Sequence, residues 1–285
     1  MVKKAVILAG GMGTRFLPIT KSIPKEMLSV VNKPALQYIS EEVERSGIKS
    51  LGIVINDDKE AIKRYFRPAP KLEMALEKAG KTDFLKALQD ICNIKVEFII
   101  QSEPLGSAHA VACCRDFCGG DAFALLNGDD VMFSEVPVTR QLCDCYAEYG
   151  KTVIGVQPVP RELIVKYGVI NILKNEGRTY FIDKIIEKPK PSEICSDLAS
   201  LGRYVLDGSV FKIIETLQPA KNGEYQLTDA LNIMAWHGDA VAYDFEARRY
   251  DLGSKIGYME ANIEFGLRDP EIGGMLKKYL KGLEI

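Results

Sequence analysis

Through its first 160 residues the chain alternates short apolar runs with longer stretches of helical character. Val2 to Leu8, Leu51 to Ile55, Val96 to Ile100, Ala122 to Leu126 and Thr152 to Val156 read as strands. Between them, helices are predicted over Ala35 to Ser46, stopped by Gly47, over Lys59 to Phe66, closed by Pro68 and Pro70, over Leu72 to Leu88, and over Ala108 to Phe117. Strands alternating with helices argue for an α/β fold: a Rossmann-like mixed, mostly parallel sheet with helices on both faces. Sheets of this kind bind ligands outside the carboxyl ends of their strands. Further on, Gly168 to Leu173 and Tyr180 to Glu187 read as added strands, and Asp229 to Trp236, Ile256 to Leu267 and Pro270 to Leu283 as helices. No repeat, low-complexity tract or linker interrupts the 285 residues. They are expected to form a single domain, 1–285, with a helical C-terminal extension from about residue 236 packing on it.

Composition narrows the function. Hydrophobic residues make up 47% and charged residues 27%, as in ordinary soluble domains. The net charge of −2 lacks the basic excess expected of a nucleic-acid or membrane-surface binder. An anionic substrate must therefore be held by a local cluster of Lys and Arg. No apolar run approaches the roughly 20 residues that span a bilayer. The run Ala5 to Ala9 is too short for a signal-peptide core, so a cytoplasmic location is expected. Seven cysteines without a CxxC pair, and only two histidines, argue against structural zinc and for free, mostly buried thiols.

Directly after the first strand comes Gly10-Gly11-Met12-Gly13-Thr14-Arg15. Glycines let a backbone approach a phosphate closely and aim successive N–H groups at it. The GxxxxGK[ST] pattern of a P-loop is absent, and the dinucleotide pattern GxGxxG lacks its third glycine, with Phe16 in its place. Taken alone, the glycines are equally those of a plain strand-to-loop turn. The basic continuation through Lys21 and Lys25, stiffened by Pro18 and Pro24, favours a triphosphate.

Other strand ends carry chemistry with a bland alternative beside each. Asp129 and Asp130 after the fourth strand could hold Mg²⁺ or simply make an Asp-rich turn. Asp251 by itself is an ordinary loop acid. Glu187 could accept bonds from sugar hydroxyls and Lys188 could hold a phosphate, or the two could form a surface ion pair. Strand alternation sends their side chains to opposite faces; they can share a ligand only if the strand ends or bends there, which Pro189 favours. Gln101, ending the third strand, offers a donor and an acceptor suited to an imide edge, or is a solvated strand end.

Leu8-Ala9-Gly10-Gly11-Met12-Gly13-Thr14-Arg15-Phe16-Leu17-Pro18, then Pro24-Lys25-Glu26-Met27-Leu28 and Asn32-Lys33-Pro34, resemble the signature of the sugar-nucleotide pyrophosphorylases, and among them the uridylyl type. Further matches run through Gln37-Tyr38-Ile39, Gly106 with His109-Ala110-Val111, Glu187-Lys188-Pro189, Gly202-Arg203-Tyr204, Gln226-Leu227-Thr228-Asp229 and Lys255-Ile256-Gly257-Tyr258. The resemblance implies transfer of a uridylyl group from UTP to glucose 1-phosphate with Mg²⁺ as cofactor. It assigns Ala9, Gly10, Gly11, Gly13, Thr14, Gln101 and Gly106 to the nucleotide, and Gly168, Glu187, Lys188 and Gly202 to the sugar phosphate. Asp129 and Asp251 match the metal aspartates. Arg15, Lys25 and Lys188 match the catalytic cations: Arg15 on the β- and γ-phosphates, Lys25 on the α-phosphate, Lys188 on the sugar phosphate. The attacking phosphate oxygen is already anionic, so no general base is required, in keeping with a chain so poor in histidine; His109 is expected near the nucleotide without acting as a base. A homodimer or homotetramer is also implied.

Three departures from the family pattern stand out: Ser107-Ala108, which could alter the base contacts, Asp197, which could alter the sugar pocket, and Asn127 before the metal aspartate. The nearest rival is a thymidylyl or N-acetylglucosamine-1-phosphate enzyme of the same family; the charged stretch Lys71 to Leu88 resembles an insertion of the uridylyl type. A non-catalytic paralogue is opposed by the retained Arg15, Lys25, Asp129, Lys188 and Asp251. A Rossmann oxidoreductase is opposed by the broken fingerprint.

Overall fold

The apolar runs form strands because alternate residues of each find a separate core. The computed structural model describes residues 2–283. In chain order its strands are β1 Lys4–Leu8, β2 Ser29–Val30, β3 Lys33–Pro34, β4 Ser50–Ile55, β5 Lys95–Ile100, β6 Phe123–Asn127, β7 Asp130–Phe133, β8 Thr152–Pro158, β9 Gly168–Glu176, β10 Thr179–Glu187, β11 Leu198–Leu206, β12 Ala240–Asp244 and β13 Arg248–Asp251. Ala5, Ile7, Ala124 and Leu126 enter one core, covered by Leu36, Ile39 and Val43 of the helix Ala35–Arg45. Val6, Phe123 and Leu125 enter the other, covered by Leu227, Leu231 and Met234 of the helix Leu227–Trp236. The side-chain period of two thus gives a sheet buried on both faces.

Nine strands form one sheet in the order β5-β4-β1-β6-β11-β8-β12-β10-β9. β5, β4, β1 and β6 are parallel neighbours, and β8 is parallel to β12. Only β10 and β11 run against the rest. The mixed, mostly parallel sheet is as expected. Among the described residues no helix is long and apolar enough to cross a membrane.

Several boundaries are corrected. The predicted helix Leu72 to Leu88 is two, Pro70–Lys78 and Thr82–Gln89, separated at Gly80, which has φ +66°. Pro70 opens the first of these, a position where its missing N–H does no harm. Ala108 to Phe117 likewise divides into Ser107–Ala112 and Arg115–Cys118. The extension expected from about residue 236 does not start there, because β12 lies inside the main sheet and β13 pairs with β7. Among the described residues, the last strand ends at Asp251 and the segment beyond it is helical. It holds the helices Lys255–Arg268 and Gly273–Lys281, the first packed against β2 and β13.

Candidate functional site

The parallel register brings the carboxyl ends of four strands level. Leu8 lies opposite Val54 and Asn127, and Ile55 opposite Ile100. The glycine loop, the turn Asn127–Asp129 and Gln101 therefore share one sheet edge. Beyond β6 the chain turns through Gly128, whose N–H bonds the Leu8 carbonyl at 3.0 Å, and re-enters as β7. β7 pairs antiparallel with β13, setting Asp130 opposite Asp251, while the Leu252 N–H bonds the Asp129 carbonyl at 2.8 Å. Two acids 122 positions apart in sequence, Asp129 and Asp251, become neighbours through this two-stranded ladder. Asp129 Oδ2 and Asp251 Oδ1 lie 2.9 and 3.0 Å from the point where a Cβ on Gly253 would stand, and Arg15 Nη1 lies 3.2 Å from it. Arg15 itself donates to the Gly253 carbonyl at 2.7 Å.

Lys25 donates to Asp129 Oδ2 at 2.5 Å. Burial alone would raise the Asp129 carboxyl, but the Lys25 ammonium, with Arg15 and Arg249 behind it, holds it below the usual range. Burial would likewise lower Lys25, and Asp129 and Glu26 together hold it above its ordinary value. Asp130 behaves differently. Complete burial pushes its carboxyl up to about 6 against the pull of Arg249, which contacts it at 2.6 Å and reaches the Tyr167 hydroxyl at 3.1 Å. Asp130 also borders the cavity, but its carboxylate is engaged by Arg249, whereas among the described residues Asp129 and Asp251 carry no arginine side-chain partner there.

That cavity, about 920 Å³, is lined by Arg15, Asp129, Gly168, Glu187, Lys188, Gly202 and Asp251 together with Tyr167, Tyr204 and Arg249. Glu187 pairs with Gly168 across β9 and β10 and accepts from the Thr228 hydroxyl at 3.2 Å. The opposite-face problem posed by Glu187 and Lys188 is resolved at the backbone: Lys188 adopts φ +47°, left-handed for a residue that rarely accepts it. This ends β10 and turns both side chains into the one cavity. Gly202 has φ +66° within an irregular stretch of β11, and a Cβ there would lie 2.4 Å from Asn127 Nδ2. Only glycine fits.

The residues expected around the nucleotide sit beside this cavity. A Cβ on Gly10 would meet Gln101 Oε1 at 3.0 Å, and Gln101 Nε2 donates to the Gly106 carbonyl at 3.1 Å. His109 Nδ1 lies 3.1 Å from the same amide nitrogen, so His109 belongs to this cluster. Gly13, at φ +68°, leads into the single 3-10 turn Thr14–Phe16, while Ala9 is fully buried. Ser107 accepts from the Leu227 N–H at 2.9 Å, linking that departure to the start of the helix Leu227–Trp236. Asp197 lines a separate groove with Arg161 and Cys195, so the expectation that it alters the sugar pocket is not met.

Several residues of the site escaped the sequence reading: Arg249, Tyr167 and Tyr204 in the cavity wall, and Arg203 behind it. Arg203 is 1% exposed, pairs with Glu42 at 2.8 Å and donates to the Asp130 carbonyl at 2.8 Å. Its place in the matched run Gly202-Arg203-Tyr204 was the one available signal.

A strand–glycine loop carrying basic residues, an acidic pair at the next strand end and a polar cavity across the sheet define a nucleotide-handling transferase site. A family model described as nucleotidyl transferase matches residues 4–266, and the chain belongs to that family. It is 45% identical over 281 residues to the UTP–glucose-1-phosphate uridylyltransferase YngB of Bacillus subtilis, covering 98% of this chain and 95% of that one. A UTP-bound UDP-glucose pyrophosphorylase structure from Acinetobacter baumannii superimposes with a TM-score of 0.92 at 34% identity, covering all of both chains. Another UDP-glucose pyrophosphorylase, complexed with UDP-glucose, gives 0.86 at 35% identity over 94% of this chain and 100% of that one.

Proposed function

We propose that the protein transfers a uridylyl group from UTP to glucose 1-phosphate, giving UDP-glucose and pyrophosphate. The observation that carries this reading is the single cavity in which Arg15, Asp129 and Asp251 face Glu187 and Lys188, reinforced by full-length relatives of that name. In the reaction, a phosphate oxygen of the sugar phosphate attacks the α-phosphorus of UTP. The α–β anhydride bond breaks in line and pyrophosphate leaves with its electron pair.

The donor set at the acidic pair suits a hard divalent cation, for which we propose Mg²⁺. Asp129 and Asp251 offer only oxygens, and such an ion takes one or two carboxylates, completing its shell with phosphate and water. Among the described residues no cluster of three or more His, Cys, Asp or Glu is available to do more. When bound, the ion supplies charge neutralisation between the phosphates of the two substrates.

The remaining work falls to side chains. Arg15 holds the β- and γ-phosphates and steadies the leaving pyrophosphate. Lys25 neutralises the α-phosphate, exchanging part of its contact with Asp129 for one with substrate. Lys188 orients the nucleophilic phosphate, and Glu187, with the Gly168 and Gly202 backbone, holds the sugar. Gln101 and Gly106 meet the base, while Ala9, Gly10, Gly11, Gly13 and Thr14 carry the triphosphate. The whole chain acts as one nucleotidyltransferase domain of the cytoplasm, assembling as a homodimer or homotetramer through apolar positions left exposed on its last two helices, among them Ile256, Met259 and Met275.

Pyrophosphate release measured over a matrix of nucleoside triphosphates and sugar 1-phosphates, with and without Mg²⁺, tests the proposal. UTP with glucose 1-phosphate and Mg²⁺ is expected to exceed every other pair. Faster release with dTTP would replace the uridylyl reading by the thymidylyl one, and no release in any well would remove both.

A further inference from the structure

Lys59 lies just beyond β4, where a lysine ordinarily keeps its ammonium in water. Here it is 6% exposed. Its Nζ donates to the Ala9 carbonyl at 2.5 Å and to the Gly11 carbonyl at 2.8 Å, and meets the Glu26 carboxylate at 2.8 Å. Glu26 is wholly buried. An ammonium has three protons, and two carbonyls and a carboxylate use them all. Burial opposes both charged forms, lowering Lys59 and raising Glu26 in pKa. A buried pair of this kind contributes little net stability, so its position asks for another explanation.

Peptide geometry supplies one. In a trans peptide the carbonyl and the following N–H point in opposite directions. Drawing the Ala9 and Gly11 carbonyls inward onto Lys59 turns the Gly10 and Met12 N–H groups away from it. Among the described residues, the N–H groups of Gly10, Gly11, Met12 and Gly13 have no backbone acceptor. Without Lys59 the same two carbonyls are free to rotate towards the loop's open side, where they would repel a phosphate.

We infer that Lys59, backed by Glu26, is the positioning residue that sets the glycine loop for phosphate by withdrawing its carbonyl oxygens. This rests on the reading of that loop as the triphosphate site. Lys59 acts through the loop backbone and Glu26, the partners of its ammonium, whereas the roles proposed for Arg15 and Lys25 are on substrate itself.

The test compares the full-length wild type with Lys59→Met and with Lys59→Met/Glu26→Leu. Lys59→Met strands a buried carboxylate and lowers the thermal midpoint. The double variant carries neither charge, so its midpoint returns close to wild type, yet both carbonyls remain free. Its affinity for UTP, measured by titration calorimetry, is expected to fall at least about tenfold. Its KM for glucose 1-phosphate is expected to stay within about twofold. A double variant that melts like wild type and binds UTP like wild type overturns the inference. So does an equal loss for both substrates, and so does a double variant that fails to fold, since the pair is then structural. A wild type that binds no UTP brings down the functional reading itself, an outcome distinct from these.

Discussion

The glycine loop and the acidic turn leave adjacent parallel strands at the same level, Leu8 opposite Asn127, and they have opposite polarity. The loop turns backbone N–H groups outward and draws its carbonyls back. The turn holds Asp129 forward beside Asp251 of β13 and, through Gly128, is tied to the loop by one backbone bond. Each is gripped from behind by a buried cation with its own buried glutamate: Lys59 with Glu26, and Arg203 with Glu42. Both cations bind main-chain carbonyls, Ala9 and Gly11 in one case, Asp130 and, at 3.4 Å, Asn127 in the other. On the proposed reading, an anion receptor and a cation receptor side by side make a place for a triphosphate and its metal together. The difference lies in what each region asks of sequence: the loop needs small residues and a withdrawn backbone, the turn needs charge supplied from two distant segments.

The largest effect should come from removing that charge. Asp129→Ala is expected to lower kcat by about 10³-fold, comparable to losing a principal charge-stabilising contact in other enzymes, while circular dichroism stays native; near-wild-type turnover would break the contrast between the two regions. Next comes the support behind the turn. Arg203→Leu leaves Glu42 charged and buried without its partner, and should lower unfolding free energy by about 3–5 kcal/mol in a denaturant titration. A loss below about 1 kcal/mol would mean that Glu42 is satisfied by Thr139 alone, to whose N–H and hydroxyl it is already bonded. Lys188→Ala, across the cavity from both regions, should raise KM for glucose 1-phosphate or lower kcat by about 10- to 100-fold. If only UTP affinity changed, Lys188 would belong to the nucleotide side. The smallest effect is expected from Gly10→Ala, whose added methyl meets Gln101 Oε1 at 3.0 Å. The amide tip can give way, so UTP KM should rise by only about two- to fivefold, a shift of under 1 kcal/mol.

Legibility in the sequence divides along the same line. The glycine loop, Arg15 and Lys25 are contiguous, and their residue types state their chemistry. The parallel strands near the amino terminus were legible because both of their faces are buried, which makes them nearly continuous apolar runs. β11 was not, because Gly202 and Arg203 interrupt its hydrophobic pattern, although it lies at the centre of the sheet. The helix Val138–Tyr149 was missed because only Val138, Thr139, Leu142 and Cys145 on it are buried and Arg140, Gln141, Asp144 and Glu148 interrupt its apolar positions. Asp251 and Glu187 needed family resemblance, since a lone acid has no local signature. Lys59 and Arg203 carry no local sign in the sequence of the contacts they make. Their carboxylate partners are 33 and 161 residues away, and only the folded chain brings them together.

The central claim is that loop and turn hold one nucleotide jointly, through a metal. UTP titrations of wild type and of Asp129→Ala/Asp251→Ala, each with and without Mg²⁺, test it most directly. Mg²⁺ should tighten UTP binding to wild type by at least about tenfold and leave the double variant unchanged. An equal Mg²⁺ effect on both proteins would contradict the claim.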